Sequence, residues 1–294
     1  MSQLPAGTAA TAQAFAFVFG ANVGSFLNVV AHRVPLGLSV VRPRSRCPAC
    51  RTPVRAIDNV PILSWLLLRG RCRGCKGAIS VRYPAVEALV GLLAAYAVRV
   101  IVLGAGEPSS DPGPWIHAAA VFAVTAAMTA AALIDIDHRI LPDAITIPGM
   151  WIAPLLAALV PELTLGAERA VPAWLPHECP MRLAAVVVSV LGIAAGAGIV
   201  WGLGAVGSRV FGKEAMGFGD VKYLGMIGGT VGPAGAVLAL VVAAFAGSAV
   251  GLVRVVMTRD RYIPFGPFLA AGGFFAMVHG RAFLEWYLAE FVGF

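Results

Sequence analysis

Apolar runs recur along the chain at roughly 12–31, 84–104, 116–134, 144–160, 183–205, 221–232, 234–255 and 265–280. Most approach the roughly 20 residues that a helix needs to cross a bilayer. The sixth is short enough to be a tilted or half-length helix, and Gly232 and Pro233 mark the turn before the seventh. No small-residue cleavage site follows the first run, which predicts a retained helix and not a signal peptide. The pattern predicts an all-α polytopic membrane protein of about eight transmembrane helices, with one small polar insert between the first two.

Composition agrees. Of 294 residues, 59% are apolar and 13% charged, with a mean hydropathy of +0.83. A soluble domain carries about twice that charged share. The net charge of +7 raises the question of nucleic acid, but its distribution answers otherwise. Residues 32–82 hold eleven of the 22 basic side chains (Arg33, Arg42, Arg44, Arg46, Arg51, Arg55, Arg69, Arg71, Arg73, Lys76, Arg82) against one acid, Asp58. A short basic loop between apolar segments belongs in the cytoplasm by the positive-inside rule, with anionic lipid as a secondary partner. No recognition helix or aromatic-rich strand pattern accompanies the charge, so no nucleic-acid partner is expected.

With that loop inside, alternation puts the N-terminus and the loops near 105–115 and 161–182 outside. The stretches 135–143, 206–220 and 256–264 fall inside, and the tail 281–294 lies outside at the interface. Arg209, Lys213, Arg259 and Arg261 on the inner stretches agree, as do Glu162, Glu168 and Glu178 against Arg169 and Arg182 outside. Gly20 and Gly24 form a GxxxG, and Ala-rich runs fill 118–132 and 184–199. These are devices for close helix packing in lipid.

Four of the five cysteines lie in the basic loop as CPAC (Cys47, Cys50) and CRGC (Cys72, Cys75), with 21 residues between the pairs. Two such knuckles can bring four thiolates to the corners of a tetrahedron, the arrangement of structural zinc. A reducing cytosol disfavours disulfides, and Arg46, Arg51, Arg71, Arg73 and Lys76 offset the negative charge of a four-thiolate zinc site. Such a closed site folds a loop and performs no catalysis. The bland alternative is two unrelated CxxC pairs. Cys179, alone beside His177 and Glu178, is read as incidental.

Only fifteen acids occur, yet Asp135, Asp137 and Asp143 fall together in LIDIDHRILPD at the inner end of the third run. Asp220 opens the sixth run on the same side, so Asp135 and Asp220 share one membrane depth. Unpaired carboxylates there cost about 3 kcal/mol on insertion scales, which points to function. Two facing aspartates can hydrolyse a peptide without metal: one takes a proton from water while the other, protonated, polarises the carbonyl. Gly217 and Gly219 leave room for an extended peptide backbone. Asp143, after Pro142, also suits a helix cap, and Asp137 beside His138 suits a solvated pair or a positioning group for Asp135. On residues alone, a catalytic pair drawn from Asp135, Asp137, Asp143 and Asp220 stands level with an ion-coupled transport site.

In order along the chain come GSFLNVVAHRVP (Gly24 to Pro35), the two knuckles, DNVPILSWLLLRGRC (Asp58 to Cys72), RYPAVE (Arg82 to Glu87), LIDIDHRILPD, AMGFGD and IPFGPFLAAG (Ile263 to Gly272). In this order the motifs resemble the bacterial type IV prepilin peptidases, bifunctional leader peptidases and N-methyltransferases of type IV pilus and type II secretion systems. The resemblance implies a GxGD-type aspartic protease of the inner membrane, with Asp135 and Asp220 catalytic. Its substrates would be prepilins and pseudopilins, cut after the Gly that ends a short basic leader, on the cytoplasmic face. The new N-terminal residue would then be methylated from S-adenosylmethionine. Two departures stand out: Ala215 replaces the first Gly of the family's GMG, and the outer loop between the fourth and fifth runs is longer. No Gly-rich cofactor loop follows a strand, so the methyl-donor site is unknown from sequence, with Asp58 and Glu87 as weak candidates; Glu87 could equally be a buried structural acid paired with an Arg.

The organisation expected is a first helix over 1–31, a four-Cys zinc-binding domain over 32–83 and a transmembrane aspartic peptidase over 84–294. Two other readings remain. One is a peptidase without methyltransferase activity; the other, of a different class, is a membrane transporter or scaffold with a zinc docking knuckle.

Overall fold

A computed structural model describes residues 8–104, 111–164, 179–213, 216–258 and 263–292. Its helices are α1 (Thr8–Arg33), the short α2 (Leu63–Leu67), α3 (Arg82–Ala97), α4 (Pro112–His138), α5 (Asp143–Leu159), α6 (Met181–Phe211), α7 (Phe218–Thr258) and α8 (Gly266–Tyr287). No strands occur among the described residues. Among the described residues six helices are long and apolar enough to cross a membrane, and α5 is a shorter apolar helix. The protein is thus an all-α multi-pass membrane protein with its cysteine insert between the first two spans.

The expected sixth and seventh runs are the two arms of α7. Gly232 interrupts it with φ 78 and ψ 176, a conformation glycine adopts without a Cβ penalty. A Cβ on Gly228 would lie 3.2 Å from that of Ala236. Eight positions along a straight helix span about 12 Å, so the chain folds back at Gly232 into a helical hairpin. Eight apolar runs and six long helices are therefore one architecture.

The chain divides into two compact units, Met1–Leu133 and Ile134–Phe294. In the first, α1 lies against α3 at backbone distance. A Cβ on Gly20 would come within 2.7 Å of Ala94 Cβ, and one on Gly24 within 2.9 Å of Glu87 Cα. The GxxxG is a packing device here. In the second unit α6 grips the first arm of α7. Gly192 and Gly228 face each other so closely that a Cβ on either would run into the other's carbonyl. The buried Ser189 hydroxyl donates to the Gly229 carbonyl at 2.6 Å, satisfying an oxygen that has no water to turn to. Tyr223, Leu224, Ile227 and Leu269 are fully buried in this unit, while Trp151, Phe245 and Met257 are exposed. Large apolar side chains on the outside of long helices suit lipid as the solvent.

Candidate functional site

The second unit gathers its polar chemistry at one end. The last turn of α4 closes at Arg139, whose φ of 57 is left-handed and whose N–H donates to the Asp135 carbonyl at 2.9 Å. This is a helix stop of the αL type. It leaves Asp135 buried on the final turn. Its carboxylate Oδ2 accepts the N–H of Gly266, the first residue of α8, at 2.9 Å. An acid at a helix N-terminus is favoured by the unpaired N–H groups and the macrodipole. A Cβ on Gly266 would sit 2.7 Å from that same oxygen, so the contact requires glycine. The sequence offered Gly266 only as one letter of IPFGPFLAAG.

Asp220 occupies the first turn of α7, half-buried, and its N–H donates to the Gly217 carbonyl at 3.1 Å. Leu141 joins the two aspartates' surroundings. A Cβ on Gly219 would be 3.1 Å from Leu141 Cβ, and one on Gly266 would be 3.1 Å from Leu141 Cδ2. Gly219 therefore lets the start of α7 close onto Leu141. Gly217 leaves its side open beside Asp220, with Oδ2 at 3.6 Å from where a Cβ would stand. Asp135 and Asp220 lie within electrostatic reach of each other. Both also act on the Tyr223 hydroxyl, which is fully buried. Sequence reasoning passed over Tyr223; its signal was the spacing of three from Asp220, which places both on one helix face.

Asp143 and Asp137 do not enter this buried cluster. Asp143 stands in the first turn of α5, after Pro142 in the N-cap position, so it does not make the side-chain cap its sequence position suggested. Its carboxylate pairs with Lys222, whose ammonium also lies 5.3 Å from the Phe218 ring centroid. The pair ties the start of α7 to the start of α5. Asp137 is exposed on the last turn of α4. Ala215 lies outside the described residues, as do Glu168, Arg169, His177, Glu178, Arg259 and Arg261.

In the first unit, the two cysteine knuckles are built alike. Cys47 N–H donates to Thr52 O at 3.0 Å and Cys72 N–H to Gly77 O at 2.8 Å; the returning bonds run from Arg51 to Cys47 and from Lys76 to Cys72. Arg51 (φ 59) and Lys76 (φ 61), each just after a second cysteine, take the same left-handed turn. The four Sγ atoms lie within 4.8 Å of one another, with Cys47–Cys75 and Cys50–Cys72 both at 3.9 Å. Sulfurs at about 2.3 Å from a tetrahedral zinc stand about 3.8 Å apart. The site fits zinc. Thr52 beside Cys50 draws its thiol down to about 6. At Cys75, where the Gly77 amide favours the thiolate, the neighbouring sulfurs still push the thiol up to about 11.

The two weak methyl-donor candidates are both hydrogen-bonded within this unit. Glu87, buried on α3, accepts the Ile62 N–H at 2.7 Å, a backbone partner and not an arginine. Asp58 accepts a forked pair of bonds from Arg73, at 2.9 Å from Nε to Oδ2 and 2.6 Å from Nη2 to Oδ1, and the guanidinium holds its carboxyl below the ordinary range. Neither lines the cavity of about 420 Å³ between α1 and the loop, which is bordered by Asn22, Phe26, Arg33, Arg44 and Asn59. Its size is that of small-molecule pockets.

An all-helical membrane protein with an aspartate pair at one end of its second unit and a four-thiol knuckle after its first span is a narrow class. Comparison with known proteins names it. Residues 18–101 match the Bacterial Peptidase A24 N-terminal domain and residues 122–252 the Type IV leader peptidase family. The chain is 32% identical over 303 residues to a prepilin leader peptidase/N-methyltransferase of Aeromonas hydrophila, covering 94% of this chain and 93% of that protein. It is 35% identical to the protein of that name in Burkholderia pseudomallei (92% and 86% covered). A type 4 prepilin-like proteins leader peptide-processing enzyme of Escherichia coli O78:H11 is 37% identical (88% and 90% covered). No solved structure matches. The chain belongs to the type IV leader peptidase family and is an enzyme of it.

Proposed function

We propose that this enzyme is an aspartic endopeptidase that removes the basic leader of type IV prepilins and pseudopilins, with Asp135 and Asp220 as its catalytic pair. The observation that carries this reading is their convergence: 85 residues apart by subtraction (220 − 135), they meet across Leu141 at one end of a single unit. The Gly266 bond occupies one oxygen of Asp135 and leaves the other for water. Between them the two carboxylates hold one proton; the ionised one deprotonates the attacking water, and the protonated one donates to the scissile carbonyl oxygen. The proton returns to the leaving amine as the tetrahedral intermediate collapses. No metal takes part in proteolysis. Gly217, open beside Asp220, gives an extended peptide room to approach, and cleavage follows a Gly on the cytoplasmic face.

Cys47, Cys50, Cys72 and Cys75 hold a structural zinc that folds the loop over 32–83, and 84–294 carries the peptidase. The enzyme spans the bacterial inner membrane, with active site and zinc loop facing the cytoplasm. Methylation of the new N-terminal residue from S-adenosylmethionine is the second activity, supported by the relatives' name and by the cavity that Arg33, Arg44 and Asn59 border.

The test uses purified enzyme in detergent with a Gly-Phe prepilin. Asp135→Asn and Asp220→Asn should each abolish leader removal while the protein inserts and keeps its thermal transition. Wild-type-like cleavage by either variant overturns the assignment, as does strong inhibition of cleavage by a chelator. Mass analysis of the mature pilin N-terminus separates a bifunctional enzyme from a peptidase alone.

A further inference from the structure

The cysteine loop carries an apolar stripe that the peptidase reading does not use. Within α2, Leu63, Leu66 and Leu67 are 57%, 57% and 82% exposed, at the i, i+3, i+4 spacing of one helix face. Ile57 and Val60, just before them, are exposed too. The opposite face is pinned: Trp65 donates its indole N–H to the Ile79 carbonyl at 3.0 Å and its ring fills the space a Cβ on Gly70 would need. The stripe is held outward by the fold.

Its depth is fixed by Glu87. The span containing α3 begins at Arg82, and Glu87 lies five residues in, about 7.5 Å along the axis. Side chains lean toward a helix's N-terminus, which returns the carboxylate to the level of the first turn. There it holds the N–H of Ile62, the residue that opens α2 with a strained φ of 63. So α2 starts beside the first turn of a helix long and apolar enough to cross the bilayer. Tyr83, 48% exposed on that turn, marks the depth where amphipathic rings gather. Arg55, Arg69 and Arg71, all exposed, flank the stripe, in a loop with eleven basic residues and one acid.

We propose that α2 is an interfacial helix lying in the headgroup layer. Leu63, Leu66 and Leu67 are sunk in lipid and the flanking arginines pair with anionic headgroups, so that the four-cysteine loop is moored to the bilayer surface. Apolar area sets the hold and the basic residues add the preference for anionic lipid. The occupant is lipid, because the charge around the stripe complements phosphate and the spans on either side of the loop fix it at the bilayer edge.

The full chain in nanodiscs of phosphatidylcholine and phosphatidylglycerol tests this, with p-benzoylphenylalanine at position 67, at lipid-facing Phe245 as positive control and at Lys76 on the knuckle as negative control. Irradiation should give phospholipid adducts at 67 as at 245, enriched in phosphatidylglycerol, and none at 76. In parallel, Leu67→Asp should speed tryptic cleavage at Arg69 and Arg71 about tenfold with zinc content unchanged. Position 67 behaving like 76 overturns the proposal. So does a prepilin adduct that replaces the lipid adduct when prepilin is co-reconstituted, since the stripe would then dock substrate.

Discussion

The Gly266 amide donates to Asp135 Oδ2 at 2.9 Å, across 131 residues, at the only kind of residue that leaves the oxygen room. A Cβ there would stand 2.7 Å from that atom, and carboxylate oxygens do not tolerate carbon at such a distance. Gly266→Ala should therefore push Asp135 out of line while leaving its charge. A displacement near 1 Å costs on the order of 10²-fold in rate. Leader cleavage should fall by that much with thermal stability nearly unchanged, measured by prepilin cleavage and melting in detergent.

Tyr223 should behave differently. Its ring is fully buried and its hydroxyl feels both aspartates. Tyr223→Phe keeps the packing and removes one donor near the reacting atoms, so kcat should drop about tenfold or more with KM little changed. Tyr223→Ala should instead destabilise the fold by about 3–5 kcal/mol. Steady-state kinetics and thermal melts on the pair separate the two roles.

Lys222 and Asp143 hold helix starts together and do not touch the aspartate pair by any bond described above. Lys222→Met and Asp143→Asn should each reduce cleavage a few-fold, and the double variant should be no worse than either. A double-mutant cycle should yield a coupling of about 0.2–1 kcal/mol, as for partly exposed pairs. Loss of all activity in Asp143→Asn would make Asp143 itself catalytic.

Removal of zinc should separate the units functionally. Cys72→Ser breaks a tetrahedral set whose sulfurs lie within 4.8 Å of one another. Zinc content should fall from one per chain toward zero, and the loop over 32–83 should become protease-sensitive. The aspartates sit in the other compact unit, so cleavage should fall far less than the methylation of its product.

Gly192→Ala tests the packing of α6 on α7. The added carbon would run into the Gly228 carbonyl, and overpacking costs about 1–3 kcal/mol. The melting temperature should drop, and activity per folded molecule should survive.

Hydropathy and local spacing dictate the solvent, the spans and the chemistry at hand. Apolar runs near bilayer length leave a helix little alternative, because every backbone polar group must be satisfied within its own segment. Two CxxC pairs in a basic loop announce four converging sulfurs, since ligand spacing is local. The rest was non-local and came from the fold. It gave Glu87 a backbone N–H in place of the arginine expected of a buried structural acid there, and took Asp143 to Lys222 instead of to a cap. Above all, it brought Gly266 to Asp135: a glycine carries no polarity or periodicity to read, and its value here is the absence of an atom, which only the neighbour it admits can reveal.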